Sequence, residues 1–151
     1  MEKDDREKKL VLVGGCFDIL HYGHIVFLKK AKELGDNLVV LLESDKSVFT
    51  RKKRRPFHTQ AERAEILNLL PFVDRVIKLP WLKTDKEYFE IVQKIKPAFI
   101  AITKGDRQYA NKKKQAQAAG GQVKVVCPLI KKFSTTRVFN YETFSSNRPT
   151  R

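Results

Sequence analysis

The chain has 151 residues, of which 42% are hydrophobic and 32% are charged, a balance typical of a globular domain with one core. No apolar run is long enough to span a bilayer, and Met1–Lys9 lacks the apolar segment of a secretion signal, so we expect a cytoplasmic protein without a membrane segment. A formal net charge of +14 can attract nucleic acid, an anionic surface or a small polyphosphate.

Apolar runs that resemble buried strands alternate with helical patterns along the chain. The strands are predicted over Leu10–Val13, Asn37–Glu43, Arg75–Leu79, Phe99–Thr103 and Val123–Cys127. The helices are predicted over 23–34, 59–70, 86–95 and 112–119. This alternation predicts a single α/β domain over 9–139, a Rossmann-like, doubly wound parallel sheet with helices on both faces. A charged extension at 1–8 and a polar tail at 140–151 flank it, and Cys16 and Cys127 are expected to be buried, reduced thiols.

The loop after the first strand combines glycines, a helix start and two histidines. It reads Gly-Gly-Cys-Phe-Asp-Ile-Leu-His-Tyr-Gly-His over 14–24. Ligands bind at the carboxyl ends of parallel strands, and the free N–H groups of a helix start favour anions. His21 and His24 are three residues apart, so both can donate hydrogen bonds to the same phosphate group. Two alternatives remain. The histidines could bind a metal, although no third ligand is near in sequence, or either histidine could be a helix cap or a core residue.

This loop resembles the Gly-x-Phe-Asp-x-x-His-x-Gly-His signature of the cytidylyltransferase-like nucleotidyltransferase family. Ser134, Thr135 and Thr136 resemble the family's Ser-Thr-Thr motif at the start of a late helix, for which a plain helix cap is the alternative. The resemblance covers roughly residues 9–138 and is greatest to the adenylyltransferase domain of heptose-phosphate enzymes. Glycerol-phosphate cytidylyltransferases and archaeal FAD synthetases resemble the first half almost as well.

The resemblance implies that the protein transfers a nucleoside monophosphate, AMP in preference to CMP, from an NTP to a phosphorylated small molecule such as a sugar phosphate. Glycerol phosphate with CTP, and FMN in an FAD synthetase reaction, are the alternative acceptors. Mg²⁺ is the implied cofactor, carried on the NTP phosphates without a protein cage. By resemblance, His21 and His24 hold phosphate oxygens, and either Lys52 or Lys53 closes over them.

Further contacts are implied by the same resemblance. Those to the nucleotide are Gly15, Cys16, Phe17, Asp18, Gly23, Arg63, Gly105, Asp106, Ser134, Thr135 and Thr136. Those to the acceptor are Asp45 and Arg55.

The basic run Arg51–Arg55 has three interpretations: a mobile catalytic loop over the triphosphate, a solvated cluster, or a nucleic-acid contact. The last would fit a basic nucleic-acid-binding protein on the same fold. We do not expect a nucleic-acid partner, because such a protein would have no reason to keep both histidines and the Ser-Thr-Thr segment. A homodimer remains open, since Trp81, Phe89 and Phe133 fit either a core or an interface.

Overall fold

The structure is a computed structural model that describes residues 7–130, 134–135 and 137–138. Within them, helices connect the five strands, with two helices between the second and third strands and one in each other connection. The strands are β1 (Leu10–Gly15), β2 (Asn37–Leu42), β3 (Arg75–Lys78), β4 (Phe99–Lys104) and β5 (Gln122–Pro128). The helices are α1 (Tyr22–Lys32), α2 (Asp45–Lys52), α3 (Gln60–Asn68), α4 (Asp85–Ile95) and α5 (Tyr109–Ala118). The predicted tail at 140–151, most of the extension at 1–8, Phe133 and Thr136 lie outside the described residues.

All neighbouring strands are parallel, and their order in the sheet is β3-β2-β1-β4-β5. The chain runs outward from β1 to β3 and then returns to the other side of β1 to form β4 and β5. The loops after β1 and β4 therefore leave in opposite directions, and a crevice opens between them at the carboxyl ends of the strands. The predicted parallel α/β sheet is confirmed.

The core forms two layers, because successive side chains of a strand point to opposite faces of the sheet. Val11 of β1 belongs to a buried cluster with Leu28 of α1 on one face. Leu12, the next residue, belongs to a second cluster with Val92 of α4 and Ala116 of α5. Helices thus cover both faces, as the alternation of elements predicts.

Helix α2 is the one element that the sequence pattern did not predict. It begins after Ser44, whose Oγ accepts the N–H of Ser47 at 3.2 Å, and it ends at Lys53, where φ is 56°. Val48 is its only buried residue, so the helix carries almost no apolar periodicity. Arg51 and Lys52 of the basic run therefore belong to α2, and the rest of the run lies in the connection to α3.

Local signals elsewhere in the chain are confirmed. Thr59 and Glu62 form the predicted capping box: the Thr59 hydroxyl accepts the Glu62 N–H at 3.3 Å, and the Glu62 carboxylate accepts the Thr59 N–H at 2.8 Å. Cys16 and Cys127 are buried free thiols. No helix in the described part of the chain is both long and apolar enough to cross a membrane.

Candidate active site at the switch point of the sheet

A cavity of about 760 Å³ opens at the carboxyl ends of the central strands, a size that suits a nucleotide. Most of the predicted site residues line it. They are Gly15, Cys16, Phe17, Asp18, His21, Gly23, His24, Lys52, Asp106, Ser134 and Thr135. The fold therefore brings together the histidine loop, the end of α2, the segment after β4 and the Ser-Thr segment, which are far apart in sequence.

Five of the predicted site residues that the structure describes do not line this cavity. Lys53 is exposed at the end of α2, and Gly105 lies after β4 with φ at 81°. Arg63 is buried on α3, with 1% of its surface exposed. Asp45 and Arg55 border a second, smaller depression on the surface.

The β1–α1 loop has an unusual backbone that a buried carboxylate holds in place. Phe17 and Ile19 adopt φ values of 47° and 50°, in the left-handed region that non-glycine residues seldom occupy. Asp18 between them is 1% exposed. Its two carboxylate oxygens accept the backbone N–H groups of Phe57 at 2.9 Å and His58 at 3.1 Å. Asp18 thus fastens the histidine loop to the chain that leads into α3.

Asp18 is positioned to stay ionised. Burial alone would raise the pKa of its carboxyl, but the two backbone N–H groups and the Arg54 guanidinium, 3.3 Å away, outweigh burial and lower the pKa. Its carbonyl oxygen also accepts the Thr135 hydroxyl at 2.7 Å, which brings the Ser-Thr segment against the histidine loop. Asp18 therefore orders its own loop through partners about forty residues further along the chain and through Thr135.

Arg63 supports the same region from behind the cavity. Its guanidinium donates to the carbonyl oxygens of Cys16 at 2.5 Å and Glu43 at 3.0 Å, and to the Asp45 carboxylate at 2.7 Å. Its Nε donates to the carbonyl oxygen of His58 at 3.2 Å. Arg63 therefore ties the ends of β1 and β2 to α3, and Asp45 is engaged with this guanidinium.

The two histidine rings are stacked, with centroids 3.8 Å apart and planes inclined by 21°. The Nδ1 of His24 accepts the backbone N–H of His21 at 3.3 Å, so a neutral His24 carries its proton on Nε2. Burial, the neighbouring His21 and Lys52 lower the pKa of His24 to about 4, and burial lowers the pKa of His21. Both rings are therefore neutral near pH 7 and can each donate one hydrogen bond.

Lys52 is the basic side chain of α2 that reaches the histidine pair. It lines the cavity, and its charge contributes to the low pKa of His24. Lys53 follows it directly, but its left-handed backbone ends the helix there. Among the described residues, no group of three or more His, Cys, Asp and Glu side chains could hold a metal ion.

Several cavity residues were not among those predicted from the sequence. Glu43 at the end of β2 accepts Arg51 at 2.6 Å through Oε1, while its Oε2 is buried and has no hydrogen-bond partner among the described residues. The ring of Trp81 lies under the Lys46 ammonium, 3.5 Å from the ring centroid. Burial raises the pKa of the Tyr88 hydroxyl, which lies beside Gly14. The contacts of Trp81 and Tyr88 join segments that are far apart in the chain, so no short-range pattern could have indicated them.

The helix α5 contributes a row of amides. Gln108, Asn111 and Gln115 line the cavity, and their spacing of three and four residues places them on one side of the helix. This spacing was visible in the sequence and could have indicated a polar face that turns toward a ligand.

Comparison with known proteins assigns the family. The sequence model of the cytidylyltransferase-like family matches residues 12–148. The chain belongs to this family. The histidine loop and the Ser-Thr segment lie inside the matched range.

The relatives fall into two groups. The chain is 50% identical over 98 residues to the FAD synthase of Thermococcus sibiricus, a match that covers 64% of each protein. It is 37% identical over 138 residues to the bifunctional protein HldE of Campylobacter fetus, which covers 91% of this chain and 28% of that protein. The chain thus spans less than two-thirds of the first relative's length and just over a quarter of the second's.

A solved structure has the same fold. The lipopolysaccharide core biosynthesis protein of Thermoplasma volcanium superposes with a TM-score of 0.66 at 30% identity, covering 81% of this chain and 97% of that one.

Proposed function

We propose that this protein is a nucleotidyltransferase that transfers AMP from ATP to the phosphate group of a small molecule and releases pyrophosphate. An oxygen of the acceptor phosphate attacks the α-phosphorus. The bond from this phosphorus to the bridging oxygen of the β-phosphate breaks, and pyrophosphate leaves with the bonding electrons. This displacement requires mainly positioning and neutralisation of charge. The stacked pair of His21 and His24 in a nucleotide-sized cavity is the observation that carries the proposal.

The cavity residues divide this work between them. His21 and His24 donate N–H groups to oxygens of the α- and β-phosphates, where negative charge grows during the reaction. Lys52, which lines the cavity, and the N-terminal end of α1 contribute positive charge there. Ser134 and Thr135 lie at the cavity wall, where they would contact the outer phosphates. Asp18 and Arg63 hold the loop that carries this arrangement.

The residues present also fit Mg²⁺ brought by the nucleotide. Mg²⁺ prefers oxygen ligands and is usually held by one or two carboxylates together with substrate phosphates. Glu43 lines the cavity and has a buried carboxylate oxygen without a hydrogen-bond partner among the described residues. Glu43 would bind the ion or its water ligands. The ion, when bound, would neutralise charge on the departing pyrophosphate.

Two acceptors are supported by separate observations. FAD consists of FMN joined to AMP, so the 50% identity to an FAD synthase supports FMN as acceptor. Trp81 lines the cavity and supplies an aromatic side chain that would suit an aromatic acceptor such as FMN. The longer match to HldE supports a sugar phosphate instead. Cytidylyl transfer to glycerol phosphate is the alternative within the family.

Pyrophosphate release tests these possibilities together. The protein is incubated with Mg²⁺ and either ATP or CTP, each paired with FMN, heptose 1-phosphate, glycerol 3-phosphate or choline phosphate. We expect release with ATP and one acceptor, and loss of release in His24→Ala. A matched control is His58→Ala, because His58 is the third histidine and is not among the described residues lining the cavity. Failure to bind either nucleotide, or equal activity in His24→Ala, would overturn the proposal.

A further inference from the structure

The side chain of Tyr88, on α4, brings a hydroxyl group to the cavity. Tyr88 is half-buried, and its ring packs against the cluster that contains Leu12 and Val92. Its Oη makes no hydrogen bond with the described residues, and it is not one of the fully buried unpaired atoms among them. Part of its surface therefore stays open. Because Tyr88 lines the cavity, a molecule bound there can reach this hydroxyl.

Two carboxylates lie near this hydroxyl without binding it. Glu43 and Asp106 are both close enough to raise the pKa of Tyr88. The two oxygens of Asp106 accept groups from the beginning of α5, each at 2.7 Å. Glu43 accepts Arg51 at 2.6 Å through Oε1, and its Oε2 has no partner among the described residues. The acidic neighbours therefore contribute negative charge around Tyr88 but leave its hydroxyl unengaged.

The position of Tyr88 indicates which part of a substrate it would meet. Helix α1, which carries His24, packs on one face of the sheet, whereas the ring of Tyr88 packs on the other face. Tyr88 approaches the end of β1 so closely that a Cβ atom on Gly14 would overlap its hydroxyl. A substrate whose phosphates lie at the histidines would therefore meet Tyr88 across the end of β1, away from those phosphates.

The surroundings of Tyr88 favour an uncharged partner. Burial, and then the charges of Glu43 and Asp106, raise the pKa of the hydroxyl, so it stays protonated and can donate. The same negative charges disfavour a phosphate oxygen at this position, since like charges repel in a partly buried site. An alcohol carries no charge and accepts a hydrogen bond from a phenol. An alcohol group of a substrate is therefore the partner that fits best.

We propose that the Tyr88 hydroxyl donates a hydrogen bond to an alcohol group of a substrate, either a ribose hydroxyl of the NTP or a hydroxyl on the carbon chain of the acceptor. The chemistry is the same for both sources, because FMN, heptose phosphates and glycerol phosphate all carry such groups. The inference rests on the proposed function, since it requires one of these substrates in the cavity. It gives a substrate-binding residue to α4, a helix for which the sequence predicted none.

Titration calorimetry with Mg²⁺ tests the ribose as the source. ATP, 2′-deoxy-ATP and 3′-deoxy-ATP are titrated into the wild type and into Tyr88→Phe, which removes only the hydroxyl. If the ribose is the partner, Tyr88→Phe should bind ATP about fivefold to tenfold more weakly, the usual effect of one hydrogen bond. The wild type should lose a similar factor with one deoxy analogue, and Tyr88→Phe should lose nothing further with it. Tripolyphosphate, which has no alcohol group, should bind both proteins equally.

The second arm tests the acceptor as the source. FMN, heptose 1-phosphate and glycerol 3-phosphate are titrated in the presence of α,β-methylene-ATP, whose bond between the α- and β-phosphates is not cleaved, so that no turnover is needed. If the acceptor is the partner, Tyr88→Phe should bind it about fivefold to tenfold more weakly than the wild type does. Its affinities for ATP and for both deoxy analogues should then match those of the wild type.

Two further variants check the position of the hydroxyl and the specificity of the effect. A Cβ atom at Gly14 would overlap the Tyr88 hydroxyl, but it would lie 3.6 Å from the ring carbon Cζ that phenylalanine keeps. Gly14→Ala should therefore lower the melting temperature of the wild type more than that of Tyr88→Phe. Tyr109→Phe is the matched control, because Tyr109 is exposed and is not among the described residues lining the cavity. It should leave every affinity unchanged.

Three outcomes would overturn the inference: wild-type affinities for all ligands in Tyr88→Phe, equal losses in Tyr109→Phe, or a loss of tripolyphosphate binding as large as that of ATP, which would indicate a phosphate contact. If neither ATP nor CTP bound to the wild type, the proposed function would fail as well. Binding of ATP with the expected losses in Tyr88→Phe, but no reaction with any acceptor, would uphold the role of Tyr88 and contradict only the tested acceptors.

Discussion

Two sets of buried polar groups lie at the cavity or directly behind it, and they differ in whether the protein itself satisfies them. Asp18 and Arg63 are both 1% exposed, and their oxygens and nitrogens bind backbone groups and side chains from three segments. Glu43 and Gln115 each keep a buried oxygen without a partner among the described residues. The satisfied groups fix the loop geometry, whereas the unpaired oxygens of Glu43 and Gln115 contribute no bond to it.

The largest expected effect is on stability, and it concerns the buried groups whose hydrogen bonds are satisfied within the protein. Arg63→Ala removes a buried guanidinium that joins β1, β2 and α3, and it leaves the Cys16 carbonyl without this donor. We expect the free energy of unfolding to fall by about 3–5 kcal/mol, measured by urea denaturation. Glu65→Ala, an exposed change on the same helix, should alter it by about 0.5 kcal/mol or less. A loss below about 1 kcal/mol in Arg63→Ala would contradict the bracing role.

Removing a side chain that faces the ligand should lower activity without lowering stability to the same extent. His24→Ala is expected to lower kcat by about 10²–10³-fold, the usual effect of losing a donor to developing charge, without a matching loss of stability near pH 7. Steady-state kinetics and urea denaturation, run on the same preparation, measure both quantities. His58→Ala should retain activity within about threefold, because its imidazole is not among the described groups lining the cavity. Comparable losses in both variants would show that the histidine pair has no special role.

Acid should weaken the fold through the histidine pair first. The pKa of His24 is about 4 in the folded protein, below the ordinary value of 6.5. As the pH falls below 6.5, the unfolded chain gains a proton that the folded protein resists, so stability decreases until the pH approaches 4. We expect a loss of about 2 kcal/mol over this range, since solvent screens part of the ring.

His24→Gln should remove most of this dependence, because glutamine does not titrate. Urea denaturation at several pH values compares it with the wild type. The lowered pKa of Asp18 adds a further loss only as the pH falls below the ordinary carboxyl value of 3.8, so the two contributions are separable. If the free energy of unfolding of His24→Gln depended on pH as it does in the wild type, groups other than His24 would cause the acid sensitivity.

The smallest expected effect distinguishes two adjacent lysines. Lys52 lines the cavity, whereas Lys53 ends α2 with its side chain exposed. Lys52→Ala should lower kcat/KM for ATP by about tenfold, through loss of a charged contact to phosphate. Lys53→Ala should change it by about twofold or less and serves as the matched control. A larger loss in Lys53→Ala than in Lys52→Ala would identify Lys53 as the lysine that contacts the phosphates.

Much of the fold and part of the site could be predicted from sequence, because their signals are local. Apolar runs mark the five strands, and the Thr59–Glu62 spacing marks the start of α3. His21 and His24 lie within one helical turn, so their proximity follows from spacing alone. Helix α2 escaped prediction because it buries only Val48 and therefore lacks apolar periodicity.

The remaining features depend on the tertiary structure. Asp18 meets Phe57 and His58 only after the chain has folded across 39 and 40 residues, and no local pattern records this pairing. Likewise, the choice of Lys52 over Lys53 as the cavity residue follows from where α2 ends.

Sequence by itself determined the α/β alternation, the histidine loop and the family, since periodicity, capping and a contiguous motif are all short-range properties. Only the tertiary structure decided which buried groups are satisfied and which keep an atom without a partner among the described residues. The physical reason is that hydrogen bonding of a buried atom depends on everything that surrounds it, and for Asp18, Arg63 and Gln115 those surroundings come from segments far apart in the chain.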